Sequence, residues 1–215
     1  MVVSIVVPAR NEEGCLEPLY REIRRVFEEA GEDFELVVVN DGSTDATPDV
    51  IDRLAASDER VRGVHLARGF GHQPALLAGI QEARGDVVVT MDADLEQPPS
   101  AVLEMLARWR DGYQVVHGVR RDHPDTGLFK RVTSRWFYRV FTFLSRVPME
   151  PGMLDFRLMD RQVVDSIGEL TERDFFFRGI ATWIGFRQTR LPYDAGKRAA
   201  GSTKYDVRKM VAFAL

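Results

Sequence analysis

Cysteine is almost absent: Cys15 is the only one in 215 residues. No intramolecular disulfide can form, and such usage fits a reducing compartment. Cys15 lies early in helix-like sequence without a nucleophile pattern around it, so it reads as a small buried hydrophobe. Histidine is scarce as well, and His65, His72, His117 and His123 lack the spacing of a metal-binding motif. No run reaches the roughly 18–20 apolar residues of a membrane-spanning helix. Met1 leads straight into strand-like sequence, which reads as no secretory leader. Positive charge is not in excess either. With 29 Lys and Arg against 33 Asp and Glu, the net charge of −4 gives a nucleic-acid partner no electrostatic support. There is no Gly-x-x-x-x-Gly-Lys-Ser/Thr phosphate loop, no internal repeat and no low-complexity tract.

What is present is an ordinary globular composition, 45% hydrophobic and 29% charged, in a chain long enough for one sizeable core. Strand and helix patterns alternate. Strands are expected at residues 2–7, 34–39, 61–66, 87–91 and 115–119, with helices at 16–29, 46–56, 73–83 and 102–110. That alternation predicts an α/β fold with a mostly parallel central sheet flanked by helices. Residues 127–147 read as an amphipathic helix, 155–160 and 188–193 as strands, and 175–183 as a helix rich in aromatics. Residues 195–203 form a polar, glycine-containing loop. The segment 207–215 reads as a helix with no stop signal, as though a longer protein continued beyond it.

The chemistry concentrates at strand ends. In open α/β sheets ligands bind outside the carboxyl ends of the strands. The strand at 87–91 runs into Asp92-Ala93-Asp94-Leu95-Glu96. On extended chain, residues two apart share a face, so Asp92 and Asp94 can reach toward one point. Such a pair suits Mg²⁺ or Mn²⁺ carrying substrate phosphates, and Glu96 offers a third oxygen. A solvated acidic turn accounts for an isolated Asp-x-Asp equally well. The other two loops are Pro8-Ala9-Arg10-Asn11-Glu12-Glu13 and Asn40-Asp41-Gly42-Ser43-Thr44-Asp45. Asp41 is a candidate acceptor for ribose hydroxyls or a base N–H, whereas Asp45 reads as a helix cap. Gly69-Phe70-Gly71-His72-Gln73-Pro74 starts like a dinucleotide fingerprint but has Pro in the third glycine's place and follows the wrong strand. Its glycines let backbone approach a ligand or pack tightly. Arg120, Arg121, Lys130, Arg131, Arg135, Arg139 and Arg146 make 120–146 locally basic, as for a phosphate or membrane surface or simply a solvated face.

Taken in order, Val-Pro-Ala-Arg-Asn-Glu (7–12), Val-Asn-Asp-Gly-Ser-Thr-Asp (39–45), Gly-Phe-Gly-His-Gln (69–73), Met-Asp-Ala-Asp-Leu (91–95) and Asp155-Phe-Arg-Leu-Met resemble the family 2 glycosyltransferases. The likeness covers nearly the whole chain and is nearest to the polyprenol-phosphate sugar transferases. Arg198-Ala-Ala-Gly201-Ser202-Thr203-Lys204-Tyr205 resembles the family's Arg-x-x-Gly-x-Ser-Lys-Tyr loop, with Thr203 replacing its serine. Glu96-Gln97 stands where the family has Gln-His, which adds a negative charge beside the metal.

The resemblance implies a glycosyltransferase A-type (nucleotide-diphospho-sugar transferase) fold over 1–204, with 205–215 beginning a juxtamembrane helix. It implies Mn²⁺ or Mg²⁺ on Asp92, Asp94 and Glu96, and a nucleotide-sugar site of Pro8, Ala9, Asn11, Glu12, Asp41, Gly71, Gln73, Asp92 and Ala93. Asp94, Asp155, Arg120, Arg131, Arg198 and Lys204 form its implied catalytic set. Arg120 and Arg131 would touch a lipid phosphate, and Arg198 and Lys204 would close over the diphosphate. The implied reaction is inverting transfer of a hexose, from UDP-glucose in preference to GDP-mannose, to a polyprenyl phosphate at the cytoplasmic membrane face. A phosphate acceptor with a second pKa of about 6 is mostly a dianion at neutral pH and needs cations more than a base. A hydroxyl acceptor would need a base, and Asp155 is the candidate, or else it orients Arg157. A soluble transferase acting on a saccharide or small-molecule hydroxyl, and a silent nucleotide-sugar binder, remain alternatives. A membrane surface is an expected partner, and a homo-oligomer is compatible.

Overall fold

Runs of β-branched residues build the centre of the sheet. The structure, a computed structural model, describes residues 1–121, 153–169 and 185–196. Its strands are β1 (Val2–Ala9), β2 (Asp33–Asn40), β3 (Val61–His65), β4 (Val87–Thr90), β5 (Val115–Arg120), β6 (Met153–Asp160) and β7 (Gln188–Tyr193). They form one sheet in the order β3-β2-β1-β4-β6-β5-β7. β1 pairs parallel with β2 and β4, β2 with β3, and β5 with β7, while β6 runs antiparallel between β4 and β5. The carboxyl ends of six strands and the start of β6 therefore share one edge.

Side chains alternate between two cores, as the period of two demands. Val3, Ile5 and Val7 of β1 enter one core with α1 (Leu16–Ala30), α2 (Thr47–Ser57) and α4 (Pro99–Arg110). Val6 enters the other, with Ala75, Leu76 and Ile80 of α3 (His72–Glu82) and Val163, Val164 and Ile167 of α5 (Arg161–Gly168). Val87 and Val89 face the first core and Val88 the second, so β4 is buried on both faces. The A-type glycosyltransferase architecture expected from the resemblance is the one observed.

Element boundaries shift in three informative places. α4 begins at Pro99, three residues before the expected start, because proline suits a helix's first position. β4 stops at Thr90, so the acidic pair lies in a turn and not on extended chain. α5 was not expected; Asp160 caps it by accepting the Gln162 amide at 2.9 Å. Cys15 is buried just ahead of α1. The expected helices at 127–147, 175–183 and 207–215, and the loop at 195–203 beyond its first two residues, lie outside the described residues. No described helix is long and apolar enough to cross a membrane.

Candidate functional site

The first two loops of the edge are stitched together by their own side chains. Asn11 adopts φ 56°, a left-handed turn that asparagine tolerates. Its amide donates to Ser43 Oγ at 3.0 Å, and its Oδ1 accepts from the Thr44 amide at 2.8 Å. The Glu12 amide donates to Thr47 Oγ1 at 2.8 Å. Asn11 and Glu12 thus fix the shape of this end of the crevice. Pro8 and Ala9 end β1 beside Val39 and Asn40. Asp45 accepts from the Thr47 amide at 3.0 Å, a capping role exercised one residue ahead of the cap position.

Asp41 holds the third loop. It is only 3% exposed, and its Oδ1 accepts from the Phe70 amide at 2.6 Å while Oδ2 accepts from the Gly71 amide at 3.0 Å. The Arg10 guanidinium stands 3.6 Å away. The loops meet so closely that a Cβ on Gly42, at φ 61°, would lie 2.4 Å from the Gly69 nitrogen. Only glycine fits there. In this structure the Asp41 carboxylate, read from sequence as a ribose or base acceptor, orders the backbone of that crevice wall.

The acidic turn is braced from beneath. Ala93 is buried in the core between the two carboxylates, and Leu95 takes φ 65°. A non-glycine residue held there is a strained position of the kind found at binding sites. Gln97, 1% exposed, donates through Nε2 to Asp92 Oδ2 at 2.7 Å and accepts the Asp92 amide through Oε1 at 2.8 Å. Asp94 Oδ1 accepts from the Glu96 amide at 3.0 Å. Glu96 forms an ion pair with Arg120 at 2.7 Å. The proposed third metal oxygen and the proposed lipid-phosphate cation therefore lie on each other here.

On the other side of Asp92 stands a cluster built by α3 and β6. His72 Nε2 lies 3.1 Å from Asp155 Oδ2 and 3.7 Å from Asp92 Oδ1. Gln73 Nε2 donates to Asp155 Oδ2 at 2.9 Å, and Arg157 lies 3.7 Å from Asp155 Oδ1. Thr90 Oγ1 donates to the Asp155 carbonyl, tying the start of β6 to the end of β4. Gly71, Gln73, Asp92, Asp94 and Asp155 thus lie along one edge of the sheet. His72, Gln97 and Tyr193 also belong to this neighbourhood; the first two stand in the motifs read from sequence without a site role assigned to them, and Tyr193 only ends an expected strand. Arg131, Arg198 and Lys204 lie outside the described residues.

Beyond Arg120 the edge closes with β7. Arg120 pairs in register with Tyr193, and the Gly196 amide donates to the Glu96 carbonyl at 3.0 Å. The Tyr193 phenol is pushed up to about 12, by burial first, with Arg120 opposing and Asp92, Glu96 and Asp94 adding to the rise.

The donor set can be tested against a divalent ion. Among the described residues no group of three or more Asp, Glu, His or Cys side chains converges as a metal cage. Two carboxylates on one turn instead match the mode in which Mg²⁺ or Mn²⁺ is completed by substrate phosphates and water. The residues fit an ion shared with a diphosphate.

Residues 4–168 match the sequence pattern described as Glycosyl transferase family 2. The chain belongs to that family. This glycosyltransferase is 39% identical to an uncharacterized glycosyltransferase, YkcC, of Bacillus subtilis (strain 168), over 99% of the chain and 66% of that protein. It is 38% identical to the bactoprenol glucosyl transferase of Shigella phage SfV, over 100% of the chain and 70% of that protein. The chain therefore spans about two thirds of the length of the relatives it matches. Its fold is shared with glucosyl-3-phosphoglycerate synthase from Mycobacterium tuberculosis, solved in complex with Mn²⁺, UDP-glucose and phosphoglyceric acid. The TM-score is 0.65 at 20% identity, over 99% of this chain and 76% of that one.

Proposed function

We propose that this glycosyltransferase moves a hexose from a nucleotide diphosphate sugar to a polyprenyl phosphate, with inversion, at the cytoplasmic face of the membrane. The observation that carries the reading is the Asp92–Asp94 turn at the carboxyl edge, braced by Gln97 and flanked by Arg120. UDP-glucose is the favoured donor and GDP-mannose the second. The bactoprenol glucosyl transferase relative supports a glucosyl group and a lipid phosphate, and the synthase solved with Mn²⁺ and UDP-glucose supports the metal and donor class.

In the reaction an acceptor phosphate oxygen forms a bond to the anomeric carbon while the bond from that carbon to the diphosphate breaks. The nucleoside diphosphate leaves with the electron pair. A divalent cation, Mn²⁺ or Mg²⁺, offsets the charge gathering on the leaving group when bound. Asp92 and Asp94 are the residues to hold it, with Glu96 beside them. The stitched loops of Asn11, Glu12 and Asp41 shape the nucleoside end. Arg120 supplies a cation for the incoming phosphate, with Arg131 proposed beside it, and Arg198 and Lys204 are proposed to close over the donor diphosphate. The acceptor is already ionised, so no general base is required.

A second reading has one observation on its side. Buried Asp155, 3.1 Å from His72, is what a hydroxyl acceptor would use for proton removal. The test is nucleoside diphosphate release from a panel of UDP- and GDP-sugars with Mn²⁺ or Mg²⁺, with and without a short-chain polyprenyl phosphate. Lipid-dependent release from one donor supports the proposal. Release that ignores the lipid and responds to a saccharide supports the second reading.

A further inference from the structure

Tyr193 ends β7 with its ring in the sheet's first core, edge-on to Phe156 at 5.2 Å between centroids. It is only 4% exposed. A phenylalanine would fill the same space and keep the same ring contact. The hydroxyl is the anomaly. It is buried and finds no hydrogen-bond partner among the described residues. Burying a hydroxyl without a partner is destabilising, so packing alone gives no reason for it.

Its position supplies the reason. The residue sits in register with Arg120, the cation paired with Glu96. The chain just past it lies against the acidic turn: the Gly196 amide donates to the Glu96 carbonyl, and a Cβ on Gly196 would come within 2.5 Å of the Leu95 carbonyl oxygen. The charges of Arg120, Asp92, Glu96 and Asp94 all reach the phenol. A tyrosine hydroxyl keeps its proton at neutral pH and is a donor there. A neutral donor without a partner among the described residues, beside a turn suited to a metal-bound diphosphate, is matched to an anionic oxygen.

We infer that the Tyr193 hydroxyl donates a hydrogen bond to an oxygen of the diphosphate bound at the Asp92–Asp94 turn, making Tyr193 a donor-binding residue. The inference rests on the reading of that turn as the nucleotide-diphosphate site. A phosphoryl oxygen accepts the bond, and the phenol passes no proton in the reaction.

The test compares wild type with Tyr193→Phe by calorimetric titration of UDP and GDP in the presence of Mn²⁺. Titration of Mn²⁺ alone and the thermal midpoint of the unliganded protein complete the set. The expected variant keeps an equal or higher midpoint, binds Mn²⁺ alone as wild type does, and binds nucleoside diphosphate about tenfold more weakly. Equal nucleoside diphosphate affinity in the two proteins overturns the inference, whatever the midpoint does. An equal loss for Mn²⁺ alone overturns the assignment to a diphosphate oxygen. If wild type binds neither UDP nor GDP with Mn²⁺, the reading of the acidic turn falls as well. That outcome is distinct from the Tyr193-specific failure, in which both proteins bind alike.

Discussion

Gln97 grips Asp92 at two points, donating to its carboxylate at 2.7 Å and accepting its backbone amide at 2.8 Å. The clamp reaches across five residues of one turn, so it fixes both where the carboxylate sits and how it faces. A carboxylate that must meet a metal and a diphosphate together gains from being held before they arrive.

Gln97→Ala removes both contacts and leaves a partly buried amide without its acceptor. It is expected to cost about 1–3 kcal/mol of stability, and to weaken binding of UDP with Mn²⁺ by about tenfold as the carboxylate loosens. Gln97→Glu keeps the length but buries a second carboxylate against Asp92, and should cost more stability than Gln97→Ala as well as weakening binding. Denaturant unfolding and calorimetry separate the two effects. Unchanged affinity in both variants would remove the clamp from the account.

Arg120 and Glu96 are part-exposed, with side chains 42% and 22% accessible. Their ion pair is worth less than about 1 kcal/mol at such a surface. Arg120→Ala should therefore leave the unfolding midpoint nearly unchanged while lowering kcat/KM for the lipid phosphate by about 100-fold, with the donor KM little altered. A variant with normal lipid kinetics would contradict the proposed role.

His117 lies buried on β5 with Nε2 2.8 Å from Gln188 Oε1. Burial first, and then the Arg157 and Arg190 charges, lower its pKa from 6.5 to about 4. The native state refuses a proton that the unfolded chain accepts below 6.5. The stability this represents is present above about pH 6.5 and lost as pH falls toward 4, up to about 3 kcal/mol. His117→Gln should flatten unfolding free energy against pH across that window. An unchanged slope would show that other groups carry the acid sensitivity.

Much of the sheet was legible because its strands are short β-branched runs with both faces buried, as Val87–Val89 are. The mostly parallel sheet followed from the alternation of strands and helices, but the reversal of β6 did not, since it pairs between β4 and β5 only in three dimensions. α5 escaped notice because eight residues hold too little periodicity, although Asp160 ahead of it was a readable cap. The acidic pair stood out as residues, but its presentation did not. The extended-chain argument assumed a strand that in fact ends at Thr90. His72 and Gln73 meet Asp155 across more than eighty residues of sequence, a contact no spacing rule reveals. Tyr193 ends an expected strand, and what marks it is a buried hydroxyl without a partner among the described residues.

Recovery of labelled hexose in the lipid fraction tests the central claim most directly. Protein, Mn²⁺, labelled UDP-glucose and a short-chain polyprenyl phosphate would be incubated, the lipid extracted, and the anomeric configuration of the product read by NMR. The account predicts a hexosyl phosphate lipid of inverted configuration, formed by wild type and abolished in Asp94→Ala. Label that stays in the aqueous phase with or without lipid, from wild type that consumes the donor, would contradict it.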